Sequence, residues 1–242
     1  MAAEAQKNAQ IKTRRRNLFW AAVLFFLALP AVFALWLKWS WVDISRLPDV
    51  RDGDILFNTS PSRQSLAVGL ATRSWLTHVG FVRIEDDKIF VIEASATTRK
   101  IPFADWVAEG AWGRLKIMRL PGMKSAAVER AAEWSAQHFG KQYDIFFAPG
   151  HDRFYCSELV HDAFAAAGVK LGQVQKLGDL QLTSAPVRRL IGERWSRHPR
   201  CANGRADNAE NCMAMIDDLD IVTPVSIADD KSLRVIYSNY LF

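Results

Sequence analysis

A cysteine at the predicted start of an amphipathic helix is the residue best suited to chemistry in this sequence. It lies in FYCSELVHDAF, Phe154 to Phe164. In helical steps it shares one apolar stripe with Leu159, Val160, Ala163, Phe164 and Ala167. The stripe predicts that Cys156 points inward, where the helix dipole and free N–H groups favour its nucleophilic thiolate and would hold an oxyanion. The alternative is a buried structural cysteine, the usual role of Cys on such a stripe.

A histidine and a glutamate on neighbouring predicted strands supply groups that would activate this thiol. The strands 77–84 and 88–95 are joined by a charged turn. If the turn has two or four residues, Gly80 opposes Glu93, and His78 becomes a diagonal neighbour of Glu93 on one face. An odd-length turn would place the two on opposite faces. His78 alone fits an ordinary core or edge histidine. Glu93, however, lies in an apolar strand that would not carry a charge without a partner, so the three residues form a nucleophile, base and orienting set.

The other histidines are weaker candidates. His151 lies five residues before Cys156 in a glycine-containing loop and is kept as an alternative base. His161 follows Cys156 by five residues on the helix and therefore points away from it. His138 and His198 have polar neighbours in the sequence and are predicted to lie on the surface. The sequence predicts no metal site and no cofactor.

The basic excess of the chain is confined to its N-terminus. The formal charge is +5, and half of the 242 residues are hydrophobic. Residues 1–38 hold six Lys or Arg against one Glu, which leaves 25 basic and 25 acidic residues in the remainder. A nucleic-acid ligand would require a basic face on the folded part. We therefore expect one globular core and no nucleic-acid partner.

The N-terminal segment has the pattern of a membrane anchor. KTRRR is followed by LFWAAVLFFLALPAVFALWL, an uncharged run from Leu18 to Leu37. At ~1.5 Å per residue the run spans a bilayer of ~30 Å. The arginines predict a cytoplasmic tail, 1–16, an anchor, 17–38, a linker, 39–48, and a domain outside the cytoplasm, 49–242. A cleaved signal peptide is the alternative, although the run exceeds the ~7–15 residues of a typical signal-peptide core.

Two further cysteines enclose a polar stretch. Cys201 and Cys212 flank ANGRADNAEN, which has no apolar periodicity. In an oxidising compartment this pattern predicts a disulfide that closes a surface loop. Two free thiols or a zinc site are the alternatives, but a second pair of zinc ligands is missing nearby. Pairing them would leave Cys156 as a free, candidate reactive thiol.

Strand and helix patterns alternate irregularly along the rest of the chain, without repeats. This order predicts a single α+β domain after the anchor. Strands are expected at 53–60, 77–84, 88–95 and 114–120 and in two segments near the C-terminus. Helices are expected from a Ser60-Pro61 cap through Leu66 to about Trp75, at 125–139, from Cys156, and at 184–195.

Five motifs in order give the chain a family resemblance. GDILF, THVGFV, VIEAS, GKQYD and YCSELV together resemble the YiiX/YebB-like branch of the NlpC superfamily. The resemblance covers roughly residues 49–240 and implies a circularly permuted papain-like fold, with an antiparallel sheet packed on helices. It implies Cys156 as nucleophile, His78 as base and acid, and Glu93 as the third residue. Tyr155 would be an active-site neighbour.

The predicted activity is that of a membrane-anchored cysteine hydrolase facing the periplasm of a bacterial inner membrane. The first hypothesis is cleavage of an amide in cell-wall peptide or a related substrate. The second is transfer or hydrolysis of a lipid-linked acyl group, since lecithin retinol acyltransferase shares the permuted order. A non-catalytic binding module is the third hypothesis, which the intact Cys, His and Glu set disfavours. The sequence does not choose between the first two, and it leaves the oligomeric state open.

Overall fold

The computed structural model describes residues 2–39 and 41–240, with side chains described for 14–33 and 41–240. The chain divides into two compact units, Met1–Trp41 and Val42–Phe242. In the first unit a single helix, α1, runs from Ala2 to Trp39. Its stretch Arg14–Phe33 is long and apolar enough to cross a membrane.

The second unit is an α+β domain. Its strands are β1 Ile55–Asn58, β2 His78–Glu85, β3 Lys88–Ala94, β4 Thr98–Pro102, β5 Lys116–Arg119, β6 Val174–Lys176, β7 Asp220–Val222 and β8 Arg234–Ser238. Its α-helices are α2 Arg63–Thr72, α3 Phe103–Glu109, α4 Ser125–Ala136, α5 Cys156–Ala166, α6 Ala185–Arg194, α7 Ala209–Ile216 and α8 Pro224–Ala228. Short 3₁₀ turns are Ile44–Arg46, Ala111–Gly113, Leu177–Asp179 and Trp195–Arg197.

The main sheet is antiparallel, with the strand order β4-β3-β2-β1-β5-β8, and β6 pairs with β7 in a separate ribbon. A two-residue turn joins β2 to β3, because Glu85 pairs with Lys88. Asp86 and Asp87 both have positive φ, 48° and 60°. These values suit a turn whose twist matches the two strands. The turn length confirms the predicted register, in which Gly80 faces Glu93.

Both faces of the central strands are covered, which explains their unbroken apolar runs. Helices α4 and α5 pack on one face, where Phe81 meets Phe164 with ring centroids 5.2 Å apart. On the other face Leu56, Val91 and Ile117 pack with Trp106 of α3. The apolar stripe of α5 therefore holds the first residue of that helix against β2 and β3.

Several sequence predictions about local structure were wrong. The cap of α2 is Ser62, whose side chain accepts from the Ser65 N–H at 3.0 Å, rather than Ser60. Strand β4 was missed, since its sequence TRKIP alternates weakly and lies at a sheet edge. The stretch before Cys212 is not a plain surface loop, because α7 begins at Ala209 and the two cysteines are buried.

Candidate active site

Cys156 is the first residue of α5, and the packing of that helix buries it. Its side chain belongs to the main core cluster, and the residue is 3% exposed. Tyr155 caps the helix in an extended conformation, so the chain turns into the helix at the cysteine itself. The His78 side chain and the Val79 N–H stabilise the thiolate form of Cys156. The Tyr143 hydroxyl is 3.9 Å from Sγ. The first residues of β2 thus lie beside the start of α5.

The imidazole of His78 connects this thiol to a buried carboxylate. Its Nε2 is 2.5 Å from Glu93 Oε2, which leaves Nδ1 as the ring nitrogen available to the sulfur. Trp106 Nε1 donates to the same oxygen of Glu93 at 2.9 Å. The indole also stacks beside the imidazole, with centroids 5.9 Å apart and planes 24° from parallel. Trp106 therefore supports both members of the pair.

Glu93 is fully buried, and hydrogen-bond donors contact both of its carboxylate oxygens. Arg99 approaches its Oε1 with Nε at 2.7 Å and Nη2 at 2.6 Å, while His78 and Trp106 occupy Oε2. Arg99 Nη2 is in turn 2.7 Å from Glu109 Oε2, which fixes the guanidinium. The isolated acidic residue in an apolar strand is thus a fully satisfied carboxylate, as a buried charge requires.

Gly80 makes room for this arrangement by lacking a side chain. It pairs with Glu93 across the β2–β3 ladder. A Cβ at Gly80 would lie 2.7 Å from Val91 Cγ1 and 2.9 Å from the Ile92 carbonyl oxygen. Because backbone cannot give way cheaply, any larger residue at this position would push the two strands apart and displace His78 from Glu93.

The charges of the site favour a thiolate and an imidazolium. Burial opposes the charged form of His78, but its hydrogen bonds and charge interactions with Cys156 and Glu93 prevail and raise its pKa to about 10. Burial also opposes the thiolate, but the hydrogen bond and charge of His78, with further donors from Val79 and Tyr143, lower the pKa of Cys156. Glu93 remains ionised because His78 and Arg99 lower its pKa despite burial. Such a pair is the resting form of an activated cysteine nucleophile.

Two tyrosines lie near the sulfur, and the sequence singled out one of them. Tyr155 is buried, and its hydroxyl accepts from the Val222 N–H at 3.2 Å, so it ties the helix start to β7. Tyr143 is the residue whose hydroxyl reaches the thiol, and burial, together with the nearby Cys156, raises its pKa, so it stays a donor. Tyr143 lies in the GKQYD motif, which was the available signal for this residue, but the motif alone assigned the tyrosine no role.

The remaining histidines have other contacts. His151 Nε2 is 3.1 Å from Asp162 Oδ2, and its ring stacks on Phe154. More than half of that side chain is exposed. Among the described residues its ring contacts Asp162, Phe154, Trp134 and His138. His161 bonds the Leu171 carbonyl oxygen through Nδ1 at 2.6 Å. The surface prediction was wrong for His198, which is 4% exposed.

Cys201 and Cys212 form a disulfide, and Cys156 is the free cysteine. Among the described residues, His198 lies close enough to both sulfurs for the three to resemble a metal site, with ligand atoms within 4.8 Å of one another. The sulfurs are bonded to each other, however, and are not thiolates. His198 is also engaged at both ring nitrogens, with the Phe146 oxygen at 3.2 Å and the Arg200 N–H at 3.1 Å. This oxidised grouping does not fit a metal ion.

A comparison with known proteins identifies the family of this chain. Residues 49–237 match the model of a family described as permuted papain-like amidase enzyme, YaeF/YiiX, C92 family. The chain belongs to this family. The permuted papain-like α+β fold and the hydrolase class predicted from the motifs are therefore shown.

Two relatives of this permuted papain-like amidase come from Escherichia coli. The chain is 34% identical over 148 residues to "Uncharacterized protein YiiX" of strain K12, covering 60% of this chain and 73% of that protein. It also resembles the crystal structure of metalloprotein yiiX from strain O157:H7, with a TM-score of 0.68 and 28% identity, over 78% of this chain and 97% of the other. The domain thus has the fold of a family described as amidases.

Proposed function

We propose that this chain is a cysteine amidase in which Cys156 is the nucleophile, His78 the general base and acid, and Glu93 the residue that orients and stabilises the imidazolium. The 2.5 Å contact of His78 with the buried Glu93 carboxylate, together with the stabilisation of the Cys156 thiolate by His78, carries this proposal. Membership of the amidase family supports it. A binding module has no need for a buried carboxylate with four donors beside a free thiol, so the hydrolase hypothesis is preferred.

The mechanism follows from the charge state of the pair. The Cys156 thiolate attacks the carbonyl carbon of the scissile amide, and a tetrahedral oxyanion forms. The N–H groups of the first turn of α5 have no acceptor within the helix, and with the Tyr143 hydroxyl they are the donors best placed for that oxyanion. His78 then gives its proton to the leaving amine. Water attacks the thioester, His78 takes a proton from it, and the acid product leaves with the thiolate restored.

Substitution of the pair tests the assignment directly. Cys156→Ala should abolish turnover and keep the fold, because a small residue is tolerated in the first turn of a helix. His78→Ala should cost nearly as much, and the double variant should be little worse than either, since a nucleophile and its base act as a unit. The measurement is release of products from cell-wall peptides and from phospholipids, followed by mass spectrometry, with circular dichroism as the folding control. Full activity of Cys156→Ala would refute the assignment.

We further propose that the N-terminal helix anchors the enzyme in a bacterial inner membrane with the catalytic domain in the periplasm. The apolar stretch Arg14–Phe33 and the arginines at its start support this orientation. The disulfide agrees with an oxidising compartment. A folding-sensitive reporter fused after Phe242 should be active only outside the cytoplasm, and cytoplasmic activity would overturn the orientation. N-terminal sequencing of the mature protein separates an anchor from a cleaved signal peptide.

A further inference from the structure

Four large apolar side chains lie exposed together around the second helix of the chain. Leu66 and Leu70 are 53% and 39% exposed, and they lie one turn apart on α2. Trp75, which follows that helix, is 52% exposed, and Trp112 of the Ala111–Gly113 turn is 51% exposed. All four line one groove, which we call the α2 groove. Exposed apolar groups are ordinary when they are scattered, but a contiguous set of them marks an interaction surface.

The backbone holds Trp112 at the surface in an unfavourable conformation. Its φ and ψ are 56° and 21°, in the left-handed region that glycine favours. The ring of Trp112 meets that of Trp75 edge to face, with centroids 5.9 Å apart. A bulky residue in this conformation is uncommon, and such strain concentrates at functional sites. The fold therefore keeps two tryptophans side by side in contact with solvent and buries neither of them.

The charged side chains of the α2 groove are arginines. Arg63 begins α2 and Arg73 caps its end, and both are exposed. The described lining includes no aspartate or glutamate, although Arg63 also pairs with Glu193 of α6 at 3.2 Å. From Ile55 to Ile84 the sequence contains three arginines and no acidic residue. Leucines and tryptophans flanked by arginines match the depth of a bilayer at which hydrocarbon meets phosphate.

The first residues of the domain are tied to the turn that carries Trp112. The Val42 N–H donates to the carbonyl oxygen of Gly113, the next residue, at 2.9 Å. In the sequence, five residue steps separate Val42 from Leu37, the last residue of the uncharged run. Five steps span at most ~18 Å. If that run crosses a bilayer as proposed, the covalent chain keeps the turn within reach of the lipid headgroups.

From these observations we infer that the α2 groove docks the catalytic domain on the bilayer that holds the N-terminal helix, with its leucines and tryptophans among the headgroups and its arginines against lipid phosphates. This inference rests on the proposed anchor and goes beyond it, because a tether alone does not fix which face of the domain meets the membrane. The arginines favour lipid over a second copy of the chain, whose own groove carries the same charges. Thr77 also lines the groove, so docking brings the strand that begins at His78 to the membrane surface.

The test places a fluorescent probe on the groove of the full chain. Leu66→Cys is labelled with the fluorophore NBD in the Cys156→Ala background, where the other two cysteines are bonded to each other. The labelled chain is reconstituted in vesicles of phosphatidylcholine and phosphatidylglycerol. Gln137→Cys, exposed at the end of α4, is the matched control. Nitroxide-bearing lipid should quench the Leu66 label at least about threefold more than the control label, and aqueous iodide should show the reverse order.

A further substitution tests whether the tryptophans supply the docking. Trp112→Asn removes the indole and introduces a residue that tolerates the left-handed conformation. In this variant, quenching of the Leu66 label by nitroxide lipid should fall at least about twofold. Val174→Asn, which removes an exposed apolar side chain from β6, should leave the quenching unchanged. Circular dichroism is the folding control, and should Trp112→Asn fail to fold, the Leu66 and Gln137 labels still decide the question.

Flotation of the vesicles after a carbonate wash separates this inference from the proposed anchor. Nitroxide quenching that exceeds the control and falls in Trp112→Asn supports docking. If the chain floats but iodide quenches the Leu66 and Gln137 labels equally, the anchor stands and docking is refuted. Protection from iodide without nitroxide quenching would show that protein, such as a second copy, covers the groove, and would also refute docking on lipid.

Two remaining outcomes would also count against the inference. Unchanged nitroxide quenching in a folded Trp112→Asn variant would overturn the role given to the tryptophans. If the chain does not float with the vesicles, the proposed anchor fails, and the docking that rests on it fails with it.

Discussion

The two sides of Cys156 are built from opposite kinds of chemistry. On one side lie an imidazole, a carboxylate and an indole in direct hydrogen-bonded contact. On the other side lies a cavity whose described lining is almost entirely apolar. The proposed function assigns the reactivity of the sulfur to the first side, and the second is an apolar space beside that sulfur. The difference teaches that the polar partners of the thiol and the apolar packing beside it can be altered separately.

The two sides also differ in how the chain assembles them. The reactive side comes from one hairpin, the helix that follows β4, and the first residue of α5. The cavity draws on α2, α6, the 145–147 segment and residues 177–224. Because long-range packing supplies the cavity, changes there should alter substrate choice and stability before they alter the thiol. The following predictions test that division.

The largest effect should come from the base. His78→Ala removes the proton acceptor and the charge that stabilises the thiolate, so kcat/KM should fall by on the order of 10³-fold or more. His151→Ala should stay within about twofold, because that histidine pairs with Asp162. Steady-state rates on the substrate that the wild-type enzyme cleaves fastest, among cell-wall peptides and phospholipids, provide the measurement. The reverse ranking would make the loop histidine the base and would contradict the two-sided account.

A smaller effect on the same side should come from Glu93→Gln. The glutamine amide keeps the shape of the carboxylate but loses its charge. In the wild type both Glu93 oxygens accept hydrogen bonds, so the amide nitrogen would face a donor in either orientation of the side chain. We expect kcat/KM to fall by about 10²-fold, with a clear loss of thermal stability. Glu109→Gln is the matched control, because it also contacts Arg99 but is half exposed. An equal loss in both variants would assign the effect to Arg99 rather than to the imidazolium.

On the cavity side, removing the disulfide should affect stability more than reactivity. Cys212 lines the cavity and packs in a cluster with Tyr155, Ile216 and Ile221. The Cys201→Ser/Cys212→Ser variant should lose about 3 kcal/mol of unfolding free energy by loop-entropy reasoning. Its Cys156 should still react with a small alkylating reagent within about threefold of the wild-type rate. Denaturant unfolding and thiol alkylation measure the two quantities, and a large loss of thiol reactivity in the folded variant would show that the sides are coupled.

The sequence predicted the contact between His78 and Glu93, for physical reasons. A glutamate in an apolar strand, such as Glu93, is conspicuous, and the two-residue period of a strand determines which residues share a face. Its limits were also physical. Trp106 and Arg99 complete the carboxylate site, but their sequence surroundings are those of an ordinary helix and a charged edge strand.

The cavity side could not be predicted from the sequence. Its aliphatic residues have the spacing of any core, and only tertiary packing shows that Ala67 and Ala71 leave a space against α6. The same applies to the buried disulfide. In α7, Cys212 and Ile216 are one turn apart and face inward, but the surrounding polar residues hid that short stripe.

The most direct test of the central claim is the pH dependence of Cys156 alkylation, which needs no substrate. Iodoacetamide is added between pH 5 and 9, and intact-mass spectrometry follows the free thiol while the disulfide protects the other cysteines. His78 holds its proton until pH rises towards about 10, and the lowered pKa of Cys156 means that its thiolate should persist to lower pH than an ordinary thiolate does. We predict that the wild-type rate changes much less than 80-fold between pH 6 and pH 8, whereas in His78→Ala the rate at pH 6 should be about 80-fold below that at pH 8, as for an ordinary thiol of pKa ~8.5. A wild-type profile like that of the ordinary thiol would contradict the account.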